Sequence, residues 1–141
     1  MKIEKILYRG EATATGGREG KATSSTNSYS LLLNTPTEMG GGGGDGTNPE
    51  QMFAGGYSAC FLGAMRYVAG LQKTPLPADT SIHGIVGIGQ IPGGFGLEVE
   101  LQIKVPGMDK ASAQAIVDQA HTVCPYSNAT RGNIEVKLTV L

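Results

Sequence analysis

The chain has 141 residues, a formal net charge of −1, two cysteines, two histidines and no tryptophan. That length suits one domain, here residues 1–141, with a real hydrophobic core. Near-balanced charge with no basic patch argues against nucleic-acid partners and against membrane-surface binding. The opening residues, MKIEKILYRGEA, alternate like a strand and lack the apolar core of a signal peptide, so the expected compartment is the cytoplasm. In a reducing compartment two cysteines are not expected to be a permanent staple.

Taken in order, residues 2–9 (KIEKILYR) predict a strand, with Ile3 and Leu7 in phase and Ile6 interrupting the alternation. The strand continues over 10–15, and GGREG at 16–20 is a turn. Residues 21–25 and 29–33 read as two more strands, making a small antiparallel sheet with Arg18 at a turn tip. On pattern alone, an arginine there is simply solvated. The glycine run at 40–46 (GGGGGDG) precedes a helix, but it lacks the lysine and hydroxyl of a phosphate loop and no buried parallel strand leads into it. It reads as a hinge.

Residues 47–70 (TNPEQMFAGGYSACFLGAMRYVAG) are the centre of the chain. Asn48 can cap, Pro49 suits the first helical position, and Gln51 stands where a capping box wants Glu or Gln. No charge occurs between Gln51 and Met65, and apolar residues fall on every face, which predicts a helix buried all round. Gly55, Gly56 and Gly63 interrupt it. The apolar run is too short, and too broken by them, to span a membrane, and they suggest close approach of another backbone.

After a polar connector, two strands are predicted at 81–90 and 95–105, joined by a turn at IPGG. In the second, Leu97, Val99, Leu101, Ile103 and Val105 alternate with polar residues, as in a half-buried strand. Asp109 caps a second helix over 110–122, which stops near Cys124-Pro125 because the residue before proline resists helical geometry. YSNATRG reads as a loop, and 134–140 as a final strand. The order β-β-β-α-β-β-α-β makes an α+β domain, with mainly antiparallel sheet around two main helices.

Three readings compete for the cysteines. Cys60 on an apolar helix can be inert core, since free cysteine packs as a small hydrophobe. A metal site would have to draw on Cys60, Cys124, His83 and His121; only His121 and Cys124 are close in sequence, with no C-x-x-C pair. A redox pair needs the two Cα atoms within about 7 Å and a cation to offset burial of the thiolate. Arginine suits that task because it stays charged and donates several hydrogen bonds. A glutamate in such a site would act by holding the arginine.

The segments GTNPEQMFAGGYSACFLGA and HTVCPYSNATRGNIEV, with the arm RGEATATGGREG, strongly resemble the organic hydroperoxide resistance proteins of the OsmC-like family. The likeness covers essentially the whole chain. It implies an intertwined homodimer and a thiol-dependent peroxidase acting on organic hydroperoxides. By this resemblance Cys60 is the peroxidatic cysteine, Cys124 the resolving cysteine that joins it in a disulfide, Arg18 the activating arginine and Glu50 its carboxylate partner. No metal, haem or flavin cofactor is implied. The implied reductant is a dithiol, such as the lipoyl group of a lipoylated protein. On an unbroken helix Glu50 and Cys60 lie ~15 Å apart along the axis. Arg18 can hardly bridge that within one chain, so Arg18 and Glu50 are expected from the partner subunit. Met52, Phe53, Phe61, Met65 and Phe95 are candidates for an apolar substrate entry. A redox-sensing module with negligible turnover is the competing function, although no DNA-binding helix serves it.

Overall fold

A computed structural model describes residues 1–141 as two compact units, Met1–Pro49 and Glu50–Leu141. In the first, β1 (Ala12–Thr15), β2 (Lys21–Ser24) and β3 (Ser30–Leu32) form an antiparallel sheet in that order. Ala12 pairs with Ser24, and Lys21 with Leu32. A single 3-10 turn, Gly17–Glu19, joins β1 to β2. Gly20 closes it where no other residue fits: an added Cβ would stand 1.7 Å from the Thr15 carbonyl oxygen.

The strand expected at 2–9 does not form; pairing begins at Ala12. Ile3, Leu7 and Tyr8 are 67%, 90% and 81% exposed. Alternating side chains make a strand only where the backbone finds a ladder partner, and this unit offers residues 2–9 none. Nor is the glycine run a slack hinge. Gly46 donates its N–H to Asn34 Oδ1 at 2.6 Å, Gly43 to the Thr35 carbonyl at 3.0 Å, and Thr47 to the Leu32 carbonyl at 2.8 Å.

The second unit is built on α1 (Pro49–Leu71), an uninterrupted helix of 23 residues. Asn48 directly precedes Pro49, and Glu50 occupies the first turn, where the helix dipole favours an anion. β4 (Ser81–Ile91) and β5 (Gly94–Lys104) form a hairpin across Pro92-Gly93, with Ile91 opposite Gly94. α2 (Lys110–Val123) is capped as expected: Ser112 donates its N–H to Asp109 Oδ2 at 2.9 Å. β6 (Val136–Val140) returns parallel to β5, with Val99 opposite Val136. The other strand pairings in both units are antiparallel. A parallel neighbour requires a crossover, which α2 and the residues after it provide.

The expected loop after Cys124 is in fact a short helix, α3 (Pro125–Thr130). Pro125 ends α2 and opens α3 at once, because its ring suits the first helical position while forcing Cys124 into extended backbone, φ −64° and ψ 123°.

Nor is α1 buried all round. Tyr57, Phe61, Ala64, Met65, Val68 and Ala69 make one buried stripe, packed with Val99, Leu101 and Ile103 of β5 and Ile116, Val117 and Ala120 of α2. Gln51, Gly55, Ala59, Gly63, Arg66, Tyr67 and Gly70 face outward. One chain supplies a core for one side of the helix only. Within one chain, the close backbone approach to α1 is at a strand glycine rather than at the helix glycines. At Gly84 a Cβ would stand 2.4 Å from Ser58 Oγ and 2.8 Å from the Ala54 carbonyl, whereas Gly55 and Gly63 have open space beside them.

Candidate functional site

Cys60 lies in the fourth turn of α1, at its middle, and Cys124 at the junction of α2 and α3, where the proline break turns the chain. Although 64 residues apart, their sulfurs are 3.7 Å from one another, with the Cys124 thiol donating to Cys60 Sγ. Both cysteines are free thiols. Cys124 is fully buried; Cys60 is half-buried. The pair is therefore a contact between one reachable sulfur and one sheltered sulfur.

Burial pushes the Cys60 thiol up from its ordinary range, and the neighbouring Cys124 adds to the effect. The backbone N–H of Tyr126, in the first turn of α3, opposes it by donating to the Cys60 sulfur. Desolvation disfavours the anion and a hydrogen bond to it favours it, and here desolvation is the larger. A thiolate at Cys60 thus calls for a cation.

Arg18 sits half-buried in the 3-10 turn between β1 and β2, in the first unit. Glu50 is in the first turn of α1, ten residues before Cys60 on the same unbroken helix and so ~15 Å from it along the axis. The structure brings the two cysteines together and keeps Glu50 away from Cys60 along the helix.

His121 is one turn before Cys124 on α2. Its Nδ1 lies 2.8 Å from Ser127 Oγ, and its carbonyl accepts from the Arg131 guanidinium. Burial pushes the imidazole below its ordinary value; Arg131 pushes it further, and Asp118 works the other way. His83 is exposed on β4. Nowhere do three or more His, Cys, Asp or Glu side chains gather in an arrangement that could hold a metal ion.

Aromatic side chains cluster within two turns of the cysteines on α1 and α3. Phe53, Tyr57 and Tyr126 stand 5.7–6.0 Å apart, ring centre to ring centre, with Phe61 6.5 Å from Tyr57. Of the expected apolar entry residues, Phe53 belongs to this cluster at partial exposure and Met52 is also half-buried. Phe61 and Met65 are fully buried core, and Phe95 is 71% exposed beside the hairpin turn. Sequence reading missed Tyr126, Tyr57 and Ser127. For Tyr126 a signal existed: it follows Cys124-Pro125, where a proline at the first helical position starts a helix and aims its N–H groups backwards.

Residues 42–139 match the family of OsmC-like proteins. An organic hydroperoxide resistance protein of Xanthomonas axonopodis pv. citri is 66% identical over 97% of this chain and 96% of its own length. Another from Bacillus subtilis, OhrB, is 42% identical over 94% of the chain and 96% of its own. The crystal structure of an organic hydroperoxide resistance protein from Legionella pneumophila superposes with a TM-score of 0.91 at 47% identity, covering 96% of this chain and 98% of that one.

Proposed function

Because the chain belongs to the OsmC-like family, among its organic hydroperoxide resistance proteins, we propose that it is a cysteine-based peroxidase that reduces organic hydroperoxides in oxidative stress defence. The observation that carries this reading is the 3.7 Å contact between a reachable Cys60 sulfur and a sheltered Cys124 sulfur.

The Cys60 thiolate attacks one peroxide oxygen, the O–O bond breaks, and the departing alkoxide takes a proton to leave as an alcohol. Cys60 is then a sulfenic acid. Cys124 attacks the Cys60 sulfur, a proton and the hydroxyl leave as water, and a disulfide closes. A lipoyl dithiol reduces it by exchange through a mixed disulfide, giving back two thiols and leaving its own disulfide. Burial of Cys124 suits its part, since a thiol out of solvent meets the sulfenic acid before bulk peroxide does.

The thiolate needs a cation, and Arg18 supplies it in this reading, held by Glu50. Both come from a partner subunit, so that each site of a homodimer is shared. Two observations support this arrangement. Glu50 and Cys60 are ~15 Å apart on one rigid helix. The outward face of α1 is mostly small or apolar apart from Gln51 and Arg66, with Tyr67 61% and Leu71 68% exposed, a surface that a second copy would cover. Phe53 and the aromatic cluster favour an alkyl or lipid hydroperoxide over hydrogen peroxide.

The test is steady-state reduction of an alkyl hydroperoxide with a lipoyl dithiol as sole reductant. Cys60→Ser is expected to abolish turnover and Cys124→Ser to abolish lipoyl-supported cycling. Wild-type turnover no faster than that of the two variants would sink the peroxidase reading and favour a sensor. Arg18→Ala is expected to lower kcat/KM for the peroxide by at least 100-fold, about 3 kcal/mol of transition-state stabilisation.

A further inference from the structure

Three residues stand one turn from a cysteine: Tyr57 before Cys60, His121 before Cys124 and Ser127 after it. They are joined to one another. Tyr57 Oη lies 2.9 Å from Ser127 Oγ and 3.2 Å from Thr130 Oγ1, and Ser127 Oγ lies 2.8 Å from His121 Nδ1. Tyr57 and Ser127 are fully buried and Thr130 is 6% exposed.

Each hydroxyl has one proton to donate, and this fixes the direction of the run. The Thr130 hydroxyl donates to the Tyr126 carbonyl at 2.9 Å, its shortest contact and one where only Thr130 can be the donor. Its contact with Tyr57 then requires Tyr57 to donate. Ser127 must in turn donate to Tyr57, which leaves Ser127 to accept from His121 Nδ1–H. The run therefore reads His121 → Ser127 → Tyr57 → Thr130 → Tyr126 carbonyl. Neutral His121 holds its proton on Nδ1, and protonation adds one at the other nitrogen, so the run keeps its direction in either charge state.

The run starts at the last turn of α2, crosses to α1 at Tyr57 and ends on Tyr126 in α3. Tyr126 is also the residue whose N–H donates to the Cys60 sulfur. We infer that this buried run is a positioning device for the cysteine pair: Tyr57, Ser127 and His121 lock the α2–α3 junction onto α1 and so hold Cys124 within reach of Cys60. The sulfurs stand 3.7 Å apart and must close to about 2.05 Å in a disulfide. How often they meet depends on how firmly the junction is held. This assignment rests on the redox-pair reading proposed above.

The test is a redox titration of the full-length chain in mixtures of reduced and oxidised dithiothreitol. Oxidised dithiothreitol accepts two electrons and two protons from Cys60 and Cys124, leaving a protein disulfide and reduced dithiothreitol. Tyr57→Phe keeps the ring and removes the link. It is expected to shift this equilibrium at least tenfold toward the dithiol, about 30 mV. Ser127→Ala, which cuts the run at another point, should do the same. Val99→Ala is a buried core substitution outside the run and serves as the control: it should lower the melting temperature and leave the redox constant within twofold.

Tyr57→Phe or Ser127→Ala melting lower with an unchanged redox constant would reduce the run to ordinary core packing and overturn the inference. So would an equal shift in Val99→Ala, or a wild-type chain that forms no Cys60–Cys124 disulfide. A shifted redox constant in a chain that turns over no hydroperoxide would uphold the positioning role while removing the peroxidase reading.

Discussion

In the first unit Ala22, Ser24 and Leu33 are buried and little else is, whereas the second packs Tyr57, Phe61, Met65, Leu101, Ile103 and Val117 into one continuous core. The first unit is ordered by directional bonds instead: three short strands, the Asn34 side chain on Gly46, and the Glu19 carboxylate accepting the Thr35 N–H at 3.0 Å. A core resists substitution because its cost scales with removed volume. An arm held by hydrogen bonds tolerates changes of side-chain size and depends on backbone and polar partners. The cysteine pair lies wholly in the packed unit, and Arg18 lies in the hydrogen-bonded one.

The contrast is tested most severely by matched truncations. Phe61→Ala is expected to cost about 3–5 kcal/mol in urea unfolding, as a fully buried phenylalanine does. Leu7→Ala, at a position 90% exposed, should stay within about 0.5 kcal/mol. Similar losses at both sites would erase the distinction.

A smaller effect separates the units by pH. His121 has its native pKa lowered, chiefly by burial. The unfolded chain therefore binds more protons, and the second unit begins to lose stability as pH falls below about 6.5, the ordinary histidine value. Glu19 is also held below its ordinary value, chiefly by its bonds with Thr35. Its contribution is complete above the usual carboxylate range and is lost only as pH falls through its lower native value. Site-resolved NMR titration should show the His121 surroundings responding first on acidification, and the Thr35 amide only in more acid solution. Loss of the Thr35 bond near pH 6 would contradict this order.

The smallest effect concerns the end of α1. Lys73 takes φ 55°, the left-handed region that favours glycine, in a terminus where its N–H bonds the Gly70 carbonyl and the Thr74 N–H bonds the Ala69 carbonyl. Lys73→Gly relieves about 1 kcal/mol of left-handed strain and gives back roughly half through unfolded-chain entropy. The expected gain is about 0.5 kcal/mol, or ~2 °C in Tm. A lower Tm would mean that the lysine side chain supports the terminus in its own right.

Legibility in the sequence followed the same division. In the packed unit, alternation along β5, the Asp109 cap and the start of α1 at Pro49 were plain, because burial writes periodicity and capping writes composition. The arm deceived: Ile3 and Leu7 alternate like strand residues, yet a ladder needs a partner that pattern cannot supply. Cys60 and Cys124 could be singled out as residue types and, through the family resemblance, as a pair. Their 3.7 Å contact depends on the α2–α3 break folding back onto α1, a tertiary fact. The buried run through Tyr57 and Ser127 was invisible for the same reason, since serine and tyrosine carry no local mark of where their hydroxyls will meet.

The span between the cysteines has a consequence of its own. A disulfide between residues 64 apart would tie the greater part of the second unit, from the middle of its first helix to the start of its last, into one closed loop. Removing that much freedom from the unfolded chain is worth about 4 kcal/mol in the chain-entropy description. Each turn of the cycle would then alternate the protein between a looser and a tighter form, and a melting curve would read its oxidation state without any label.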